Sequence, residues 1–166
     1  MDETTLTQEP YLCKCWSRRG EQKQIPYPAG SHWAAHLFGG YNVMDNTLVT
    51  TMAAKRNTEG FAAWLEELMC HAYPTQQVCV VLDNASFHNS IAAQAYAGLF
   101  ADRLTLFFLP AYSPELNPIE AYWKHLKRQV HGNHLCANQH ELTARLCQEL
   151  ARQNDLANPQ RYQLCN

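Results

Sequence analysis

Two acidic residues follow apolar segments of the kind that form buried strands. Asp83 comes directly after residues 78–82, and Glu120 comes after residues 104–109 and a short proline-rich stretch. Open α/β sheets bind ligands at the carboxyl ends of their strands, and carboxylate oxygens are the ligands that Mg²⁺ prefers. Acidic residues at such places are also typical of turns and helix caps. Asp83 is therefore placed where such a sheet can bind a ligand, and Glu120 is placed near a sheet end, with a structural role as the alternative for both.

The position of Glu120 follows from the residues around it. Prolines at 110, 114 and 118 exclude regular structure before Pro118. Asn117 suits a helix N-cap and Pro118 suits the first helical position, which predicts Glu120 in the first turn of a helix. There it also complements the helix dipole, which is the structural alternative. The inward face of this helix is predicted from helical spacing to consist of Ile119, Trp123, Leu126 and Val130.

These segments resemble two catalytic blocks of the IS630/Tc1/mariner superfamily of DDE transposases. Residues 113–120 and Trp123 resemble the third block, S-P-[DE]-L-N-P-I-E-x-x-W, and residues 83–88, D-N-A-S-F-H, resemble the second, D-N-A-x-x-H. Thirty-six residues lie between Asp83 and Glu120, which agrees with the spacing in that superfamily. Asp2 and Glu3 match the D-E pair of the first block, although only Met1 precedes them where the family has an apolar strand.

The resemblance implies that Asp2, Asp83 and Glu120 are the catalytic metal ligands. Two Mg²⁺ or Mn²⁺ ions about 4 Å apart would serve water-mediated strand cleavage and the later attack of a 3′-OH on target DNA. The carboxyl groups of Asp83 and Glu120 are then predicted to lie within about 4–8 Å of each other. For Asp2, the alternative is a solvated acid at a loose terminus.

The resemblance also implies an α/β protein with the ribonuclease H-like fold, a mixed central sheet with helices on both faces. It implies one catalytic domain over residues 1–166, with a truncated first strand and without the helix-turn-helix region that reads transposon ends. The expected partners are transposon-end and target DNA, with a homodimer in the full transposase, in a bacterial, nucleoid-associated setting. The alternatives are a truncated remnant that folds but does not move DNA, and a ribonuclease H-like nuclease with another substrate.

Further polar residues are candidates for supporting the site. Asn84, His88 and Asn117 are assigned to the surroundings of the acids or to DNA, and His88 has three open roles: capping the next helix, orienting Asp83 or contacting DNA. Candidate phosphate contacts, with solvated surface positions as the alternative, are Arg18 and Arg19 in a W-x-x-x-G segment resembling the family's hairpin, and Lys124, Lys127 and Arg128.

A zinc site is disfavoured by the spacing of the cysteines and histidines in the first part of the chain. Cys13 and Cys15, with His32 and His36, superficially suggest one, but C-x-C is tighter than the usual spacing.

The rest of the chain alternates strand and helix patterns. Strands are predicted at residues 32–41 and 47–53, with a bend or bulge at Gly39 and Gly40 and with Asp45 in the turn. Strand, turn and loop are predicted at residues 11–30, and a tail at 158–166. Residues 78–82 are predicted to be covered on both faces, and a last strand runs over 104–109. Helices are predicted at residues 57–72, 90–100 and 141–152, the first of them burying Phe61, Trp64, Leu65, Leu68 and Met69.

Composition places the sequence among ordinary globular proteins. Its 166 residues are 46% hydrophobic and 17% charged, enough for one domain with a core. No apolar run approaches a membrane span, the first residues are acidic, and seven cysteines without disulfide spacing predict a reducing cytoplasm. The formal net charge of -2 argues against a highly basic nucleic-acid-binding domain. It leaves DNA open as a substrate, because metal ions and a local basic strip offset the acids.

Overall fold

The computed structural model describes residues 1–27, 33–110, 113 and 116–163. Its strands are β1 (Asp2–Thr7), β2 (Ala34–Asn42), β3 (Thr47–Ala53), β4 (Val78–Leu82) and β5 (Leu104–Phe108). Its helices are α1 (Thr58–Glu66), which continues as a π-helix over Glu67–Ala72, α2 (Ile91–Gly98), α3 (Ile119–His131) and α4 (Gln139–Asn154). The order of strands and helices agrees with the prediction. No helix within the described ranges is long and apolar enough to cross a membrane.

The strands form an antiparallel three-stranded sheet, β1–β2–β3, and a parallel pair, β4–β5. The two sheets meet where the amino group of Met1 donates a hydrogen bond of 2.6 Å to the Val81 carbonyl. A groove of about 510 Å³ opens beside this contact, lined by Met1, residues 40–42 of β2 and residues 78–81 of β4. The start of β1 therefore lies next to the end of β4.

Two apolar clusters lie on opposite faces of the strands. Leu37 and Phe38 are successive residues of β2, and they point into different clusters, as the strand period of two requires. The first cluster joins β1, β2 and β3 to α3 and α4 through Leu6, Leu37, Leu48, Trp123, Leu126, Leu142 and Leu146. The second joins Phe38 to α1, α2, β4 and β5 through Phe61, Trp64, Leu65, Val80, Leu82, Ala93 and Leu104. The expectation of helices on both faces is confirmed.

Several local predictions are confirmed. Strand β3 has the predicted bounds, and Asp45 is a turn residue whose carboxylate accepts hydrogen bonds from Thr47. Asn57 caps α1 by accepting from the amide of Gly60 at 3.1 Å. The predicted inward faces of α1, its π-helical continuation and α3 are all buried. Helix α4 packs against the first cluster through Leu142 and Leu146.

The bend predicted at Gly39 and Gly40 is wrong, because both residues pair in regular register with β3. The glycines serve close packing instead. A Cβ on Gly39 would lie 2.5 Å from Cη2 of Trp123, and one on Gly40 would lie 2.7 Å from Cζ2 of Trp64. Two indole rings thus pack directly on the β2 backbone, one on each side of the strand.

The cap predicted for α3 is also wrong. The helix begins at Ile119, and Pro118, without a capping side chain, stands before it. The side-chain amide of Asn117 instead donates a hydrogen bond to the carbonyl of Met1 at 3.2 Å. A tertiary contact thus takes the place of local capping. The amide of Glu120 donates to the Asn117 carbonyl at 3.2 Å, which keeps Glu120 in the predicted first turn.

Two further predictions fail for lack of a covering layer or a pairing partner. Strand β4 is not covered on both faces, since Val81 is 41% exposed and Cys79 is exposed. Residues 8–27 form no strand; Tyr11 makes one isolated bridge to Gly132, and Trp16 is fully exposed. The hairpin expected from the W-x-x-x-G segment is therefore not formed over 8–27. Residues 28–32 and 164–166 lie outside the described residues, so the end of the segment predicted at 11–30, the first residue of the strand predicted at 32–41 and the end of the predicted tail are not described.

Candidate active site

Asp2 lies beside Asp83 because the first residue of the chain contacts the end of β4. The hydrogen bond from Met1 to Val81 places Asp2, one residue later, next to Asp83, two residues later. Burial, with smaller contributions from the charges of Glu3 and Asp83, raises the pKa of Asp2 to about 6. Burial is the largest cause of this shift, and the smaller contributions of Glu3 and Asp83 place both acidic side chains near Asp2.

The carboxylate of Asp83 is fixed at one oxygen. Its Oδ1 accepts a hydrogen bond from the Ala85 amide at 3.0 Å and contacts Nδ1 of His88 at 3.0 Å. Half of the side-chain surface, 51%, remains exposed. The neighbouring Asn84 donates its side-chain amide to the Leu109 carbonyl, which ties the exit of β4 to the end of β5. Asp83 is thus held in place and open to solvent at once.

His88 is a buried residue that joins two acids. Its ring is packed against Phe61 and Phe87 at centroid distances of 4.7 and 4.5 Å. Its Nε2 lies 2.9 Å from Oε1 of Glu3, whose side chain is 6% exposed. Burial alone would lower the pKa of His88, but the hydrogen bond and charge of Glu3, together with Asp83, outweigh it and raise the pKa.

Among the roles left open for His88, capping is wrong. Ser90 caps α2, because its hydroxyl accepts from the Ala93 amide at 3.1 Å. His88 is 1% exposed, so its ring is surrounded by other protein atoms. The sequence analysis noted Glu3 only as the second member of the D-E pair and gave it no role. The available signal was the strand period, since Glu3 must point to the face opposite Asp2.

Glu120 lies on the side of α3 that faces the start of β1. Asn117, three residues earlier, holds the Met1 carbonyl, and the ring of Trp123, three residues later, packs on Gly39. Gly39 is the residue paired with Asp2 across the sheet. Residues three apart on a helix are neighbours on its surface, so Glu120 shares this face with Trp123. The partly exposed Glu120 is thereby brought to the same sheet edge, and its distance from Asp83 stays a prediction.

Positive charge approaches the acids from α3. Lys127 lies two turns after Glu120, and burial lowers its pKa while the charge of Asp2 opposes that change. Arg56 lowers the pKa of Lys127 further, which places a second cation nearby that sequence reasoning missed. Lys124 and Arg128 are exposed on the same helix. Lys127, with Arg56 near it, therefore brings positive charge close to Asp2.

Arg18 and Arg19 lie in an exposed turn closed by a hydrogen bond of 3.0 Å from the Glu21 amide to the Arg18 carbonyl. Gly20 permits the turn with a φ of +88°. The hydrogen bonds around this turn, as far as the described residues show them, are local. The structure gives these two arginines no connection to the acids.

The alternative zinc site is not supported by the contacts of its members. Cys15 is exposed, and Nδ1 of His36 lies 2.9 Å from the Thr5 hydroxyl. His32 lies outside the described residues.

A separate group, His134, Cys136 and Glu141, has its donor atoms within 4.8 Å of one another. Glu141 already accepts from the Ala137 amide at 2.7 Å, and its own amide donates to the Asn138 side chain at 2.9 Å, as in a reciprocal helix cap. The cap accounts for the position of this glutamate.

A family model described as DDE superfamily endonuclease matches residues 1–143 of the sequence. The chain belongs to this DDE superfamily. Among curated relatives, the "Insertion element IS630 uncharacterized 39 kDa protein" of Shigella sonnei is 23% identical over 141 residues, covering 85% of this chain and 40% of the relative. The "Uncharacterized protein y4pE/y4sA" of Sinorhizobium fredii (strain NBRC 101917 / NGR234) is 26% identical over 91 residues, 55% of this chain and 64% of that protein. The DDE chain thus spans less than two thirds of either relative.

Solved structures with a similar fold include complexes of the Mos1 transposase. The "Mos1 transposase paired-end complex with left transposon end" has a TM-score of 0.68 at 16% identity, covering 90% of this DDE chain and 46% of the other. The "Crystal structure of the Mos1 mariner paired end complex with Mn" has a TM-score of 0.64 at 16% identity, covering 93% and 48%. These structural matches confirm the ribonuclease H-like fold. Together with the family model and the IS630 relative, they confirm the resemblance to the IS630/Tc1/mariner superfamily.

Proposed function

We propose that this chain is the single catalytic domain, residues 1–166, of a transposase that cleaves DNA strands at the ends of an insertion element and joins them to a target. The observation that carries the proposal is the meeting of Asp2 and Asp83 at one sheet edge, with the first turn of α3 beside them. This edge is the carboxyl end of β4, where open α/β sheets bind their ligands.

The acidic side chains fit a pair of divalent cations. Aspartate and glutamate oxygens are hard ligands that suit Mg²⁺ or Mn²⁺, and Asp83 is half exposed, as access for water and substrate requires. Burial, with the charges of Glu3 and Asp83, raises the pKa of Asp2, and bound cations would favour its charged form. In such sites, two ions supply activation of water and stabilisation of the leaving oxygen.

Under this proposal, each residue of the candidate site has a definite role. Asp2 lies at the start of β1 and Asp83 directly after β4, where Met1 joins the two strands, and both would hold the cations, while Glu120 approaches from the first turn of α3. The backbone of Ala85 restrains the Asp83 carboxylate. The side chain of Asn117 fixes the position of α3 relative to Met1, and hence the approach of Glu120. No side chain of this set is needed as a nucleophile, because water and a 3′-OH take that part.

DNA is the proposed partner, and the cations of α3 are the proposed contacts. Lys127 is close enough to Asp2 for the Asp2 charge to raise the pKa of Lys127. A DNA phosphate bound by Lys127, Lys124 or Arg128 on this helix would therefore lie beside the acids. Arg18 and Arg19 would make peripheral contacts. A net charge of -2 predicts weak, salt-sensitive binding. We also propose a homodimer in the complete transposase, acting in the bacterial cytoplasm at the nucleoid.

The second candidate is a folded remnant that does not cleave DNA. It is favoured by the groove beside Met1, where the edges of β2 and β4 flank the start of β1 without a continuous pairing between the two sheets. In that case the carboxylates would be present but too loosely held for catalysis.

The test is cleavage of supercoiled plasmid DNA by the purified chain in Mn²⁺ or Mg²⁺, together with calorimetric titration of the metal. We expect slow, sequence-indifferent nicking that Asp83→Asn and Glu120→Gln abolish. The matched control is Asp102→Asn, which neutralises an exposed acid in the loop before β5. Metal binding without nicking would favour the remnant, and a chain that binds neither ion would refute both the metal site and the transposase assignment.

A further inference from the structure

We propose that Glu3 and His88 are positioning residues that orient the Asp83 carboxylate. The inference rests on the proposed function, because it assigns these two residues a task in the same site. Its starting point is a continuous chain of contacts. Oε1 of Glu3 lies 2.9 Å from Nε2 of His88, and Nδ1 of His88 lies 3.3 Å from the Asp83 carbonyl oxygen, its hydrogen-bond partner, and 3.0 Å from Asp83 Oδ1.

The contacts between Glu3 and His88 are buried, whereas Asp83 at the other end is half exposed. The side chains of His88 and Glu3 are 0% and 6% exposed, whereas Asp83 is 51% exposed. A buried carboxylate is stable only with a good partner, and Nε2 of His88 supplies that partner to Glu3, while Nδ1 faces the backbone carbonyl and the carboxylate of Asp83. Glu3 therefore has its partner inside the protein, and Asp83 alone presents a carboxylate to solvent. This arrangement distinguishes the positioning acid from the acid that is free to meet a ligand.

The surrounding aromatic rings limit the motion of His88. Phe61 of α1 and Phe87 contact the imidazole at centroid distances of 4.7 and 4.5 Å, with interplanar angles of 53° and 67°. Sideways movement of the ring is blocked by these two neighbours, and rotation about its axis is opposed by the contact with Glu3. The direction of Nδ1, and with it the position of Asp83 Oδ1, is thus set by residues of three separate segments.

The pair also couples the two strands that carry the acids. Glu3 is the residue after Asp2 on β1, and His88 follows Asp83 by five residues after β4. Successive strand residues point to opposite faces, so Asp2 faces α3 while Glu3 faces His88. A shift of β1 relative to β4 would therefore break the Glu3 contact as it changes the separation of Asp2 and Asp83. Partners that orient a ligand in this way commonly change metal affinity by about 10–100-fold.

The experiment uses Glu3→Gln, His88→Gln and His88→Asn in the full chain. The amide of Asn can take the place of Nδ1 and that of Gln the place of Nε2, so His88→Asn keeps a group near Asp83 and loses the contact with Glu3. The matched control is Glu149→Gln, because Glu149 is another largely buried acid near a histidine, 3.8 Å from Nε2 of His125. It lies on α4, away from the acids.

The first readout requires no metal. The Ala85 amide donates to Asp83 Oδ1, so its hydrogen exchange reports how firmly that oxygen is held. We expect exchange about tenfold faster in Glu3→Gln and His88→Gln, as for loss of one hydrogen bond to a charged group. Glu149→Gln should leave Ala85 unchanged. The second readout is Mn²⁺ affinity measured by electron paramagnetic resonance, expected to fall about 10–100-fold in Glu3→Gln and His88→Gln.

A double-mutant cycle separates positioning from general stabilisation. If Glu3 acts through the Nε2 contact, Glu3→Gln should have little further effect on Ala85 exchange or Mn²⁺ affinity once His88→Asn has removed that contact. If Glu3→Gln does not fold, the comparison of His88→Asn with His88→Gln carries the test, since only the former keeps a group near Asp83.

The inference is overturned if Glu3→Gln and His88→Gln lower the free energy of unfolding as Glu149→Gln does, yet leave Ala85 exchange and Mn²⁺ affinity unchanged. Failure of the proposed function looks different. The wild-type chain would then bind no Mn²⁺, while faster Ala85 exchange in the variants would still show that the pair orients Asp83.

Discussion

Replacing Gly39 by alanine should disturb the candidate active site, because Gly39 lies on β2 directly opposite Asp2 of β1. The new Cβ would lie 2.5 Å from Cη2 and 2.8 Å from Cζ2 of Trp123, where ordinary carbon contacts are about 3.5–4 Å. The ring must therefore move by about 1 Å, the difference between those distances. Trp123 is 4% exposed and packed in the first cluster, so the movement must be shared with α3.

Two consequences are expected from this displacement. Overpacking should lower the free energy of unfolding by about 1–3 kcal/mol. Because Glu120 precedes Trp123 by one turn, it should move with the helix, and misplacement by about 1 Å can lower a rate by roughly 100-fold. Urea unfolding and plasmid nicking in Mn²⁺ measure the two effects separately. Trp123→Phe in the Gly39→Ala background should recover part of both, since the smaller ring lacks the clashing atoms.

Two other glycines serve as controls. Gly40→Ala creates a similar clash, 2.7 Å from Cζ2 of Trp64, but on the α1 side of the sheet. It should therefore lower stability and leave Glu120 in place. Gly98→Ala, at the end of α2, meets nothing within 4 Å and should raise stability by about 0.5–1 kcal/mol. The reasoning is refuted if Gly39→Ala is as harmless as Gly98→Ala, or if Gly40→Ala lowers nicking equally.

Further predictions concern Asp2, the metal and the cations of α3. Asp2→Ala should abolish nicking as fully as Asp83→Ala, measured on plasmid DNA; survival of nicking only in Asp2→Ala would remove Asp2 from the site. The folded pKa of Asp2, about 6 against 3.8, means that the native state holds this proton more tightly, so the contribution of Asp2 to stability falls as pH rises from about 4 to 6. Asp2→Asn should accordingly stabilise the metal-free chain at pH 7 by at most about 3 kcal/mol, with little gain at pH 4, in urea titrations at both values. Mn²⁺ or Mg²⁺ should raise the melting temperature of wild type but not of Asp83→Asn, and tight zinc binding without this effect would contradict the assignment. Neutralising Lys124 and Arg128 should reduce the salt dependence of DNA binding by about one unit of log–log slope for each lost phosphate contact.

Much of the architecture could be predicted because apolar periodicity records which face of each segment is buried. Helix α3 and the strand β3 follow directly from such patterns, and the motif resemblance led to Asp83 and Glu120. The cap at Asn117 was mispredicted because its amide has a tertiary partner, the Met1 carbonyl, that lies 116 residues away in sequence. Local rules weigh only neighbours along the chain.

The Glu3–His88 contact was missed for the same physical reason. The two residues are 85 positions apart, so no local pattern predicts their contact. An acidic residue next to a candidate ligand is usually interpreted as a solvent-exposed side chain. Gly39 and Gly40 were misinterpreted because a glycine in a strand pattern is typical both of a bulge and of close packing. Only the positions of Trp64 and Trp123 decide between them.

The contact of Met1 with Val81 has a practical consequence for producing the protein. Burial lowers the pKa of the Met1 amine to about 6, so the amine is mostly uncharged at neutral pH while it donates to the strand. In a chain extended ahead of Met1, a peptide N–H would replace this amine, and the residues before Met1 would begin beside the groove that Met1 lines. The sequence of an affinity tag placed there would then affect folding yield.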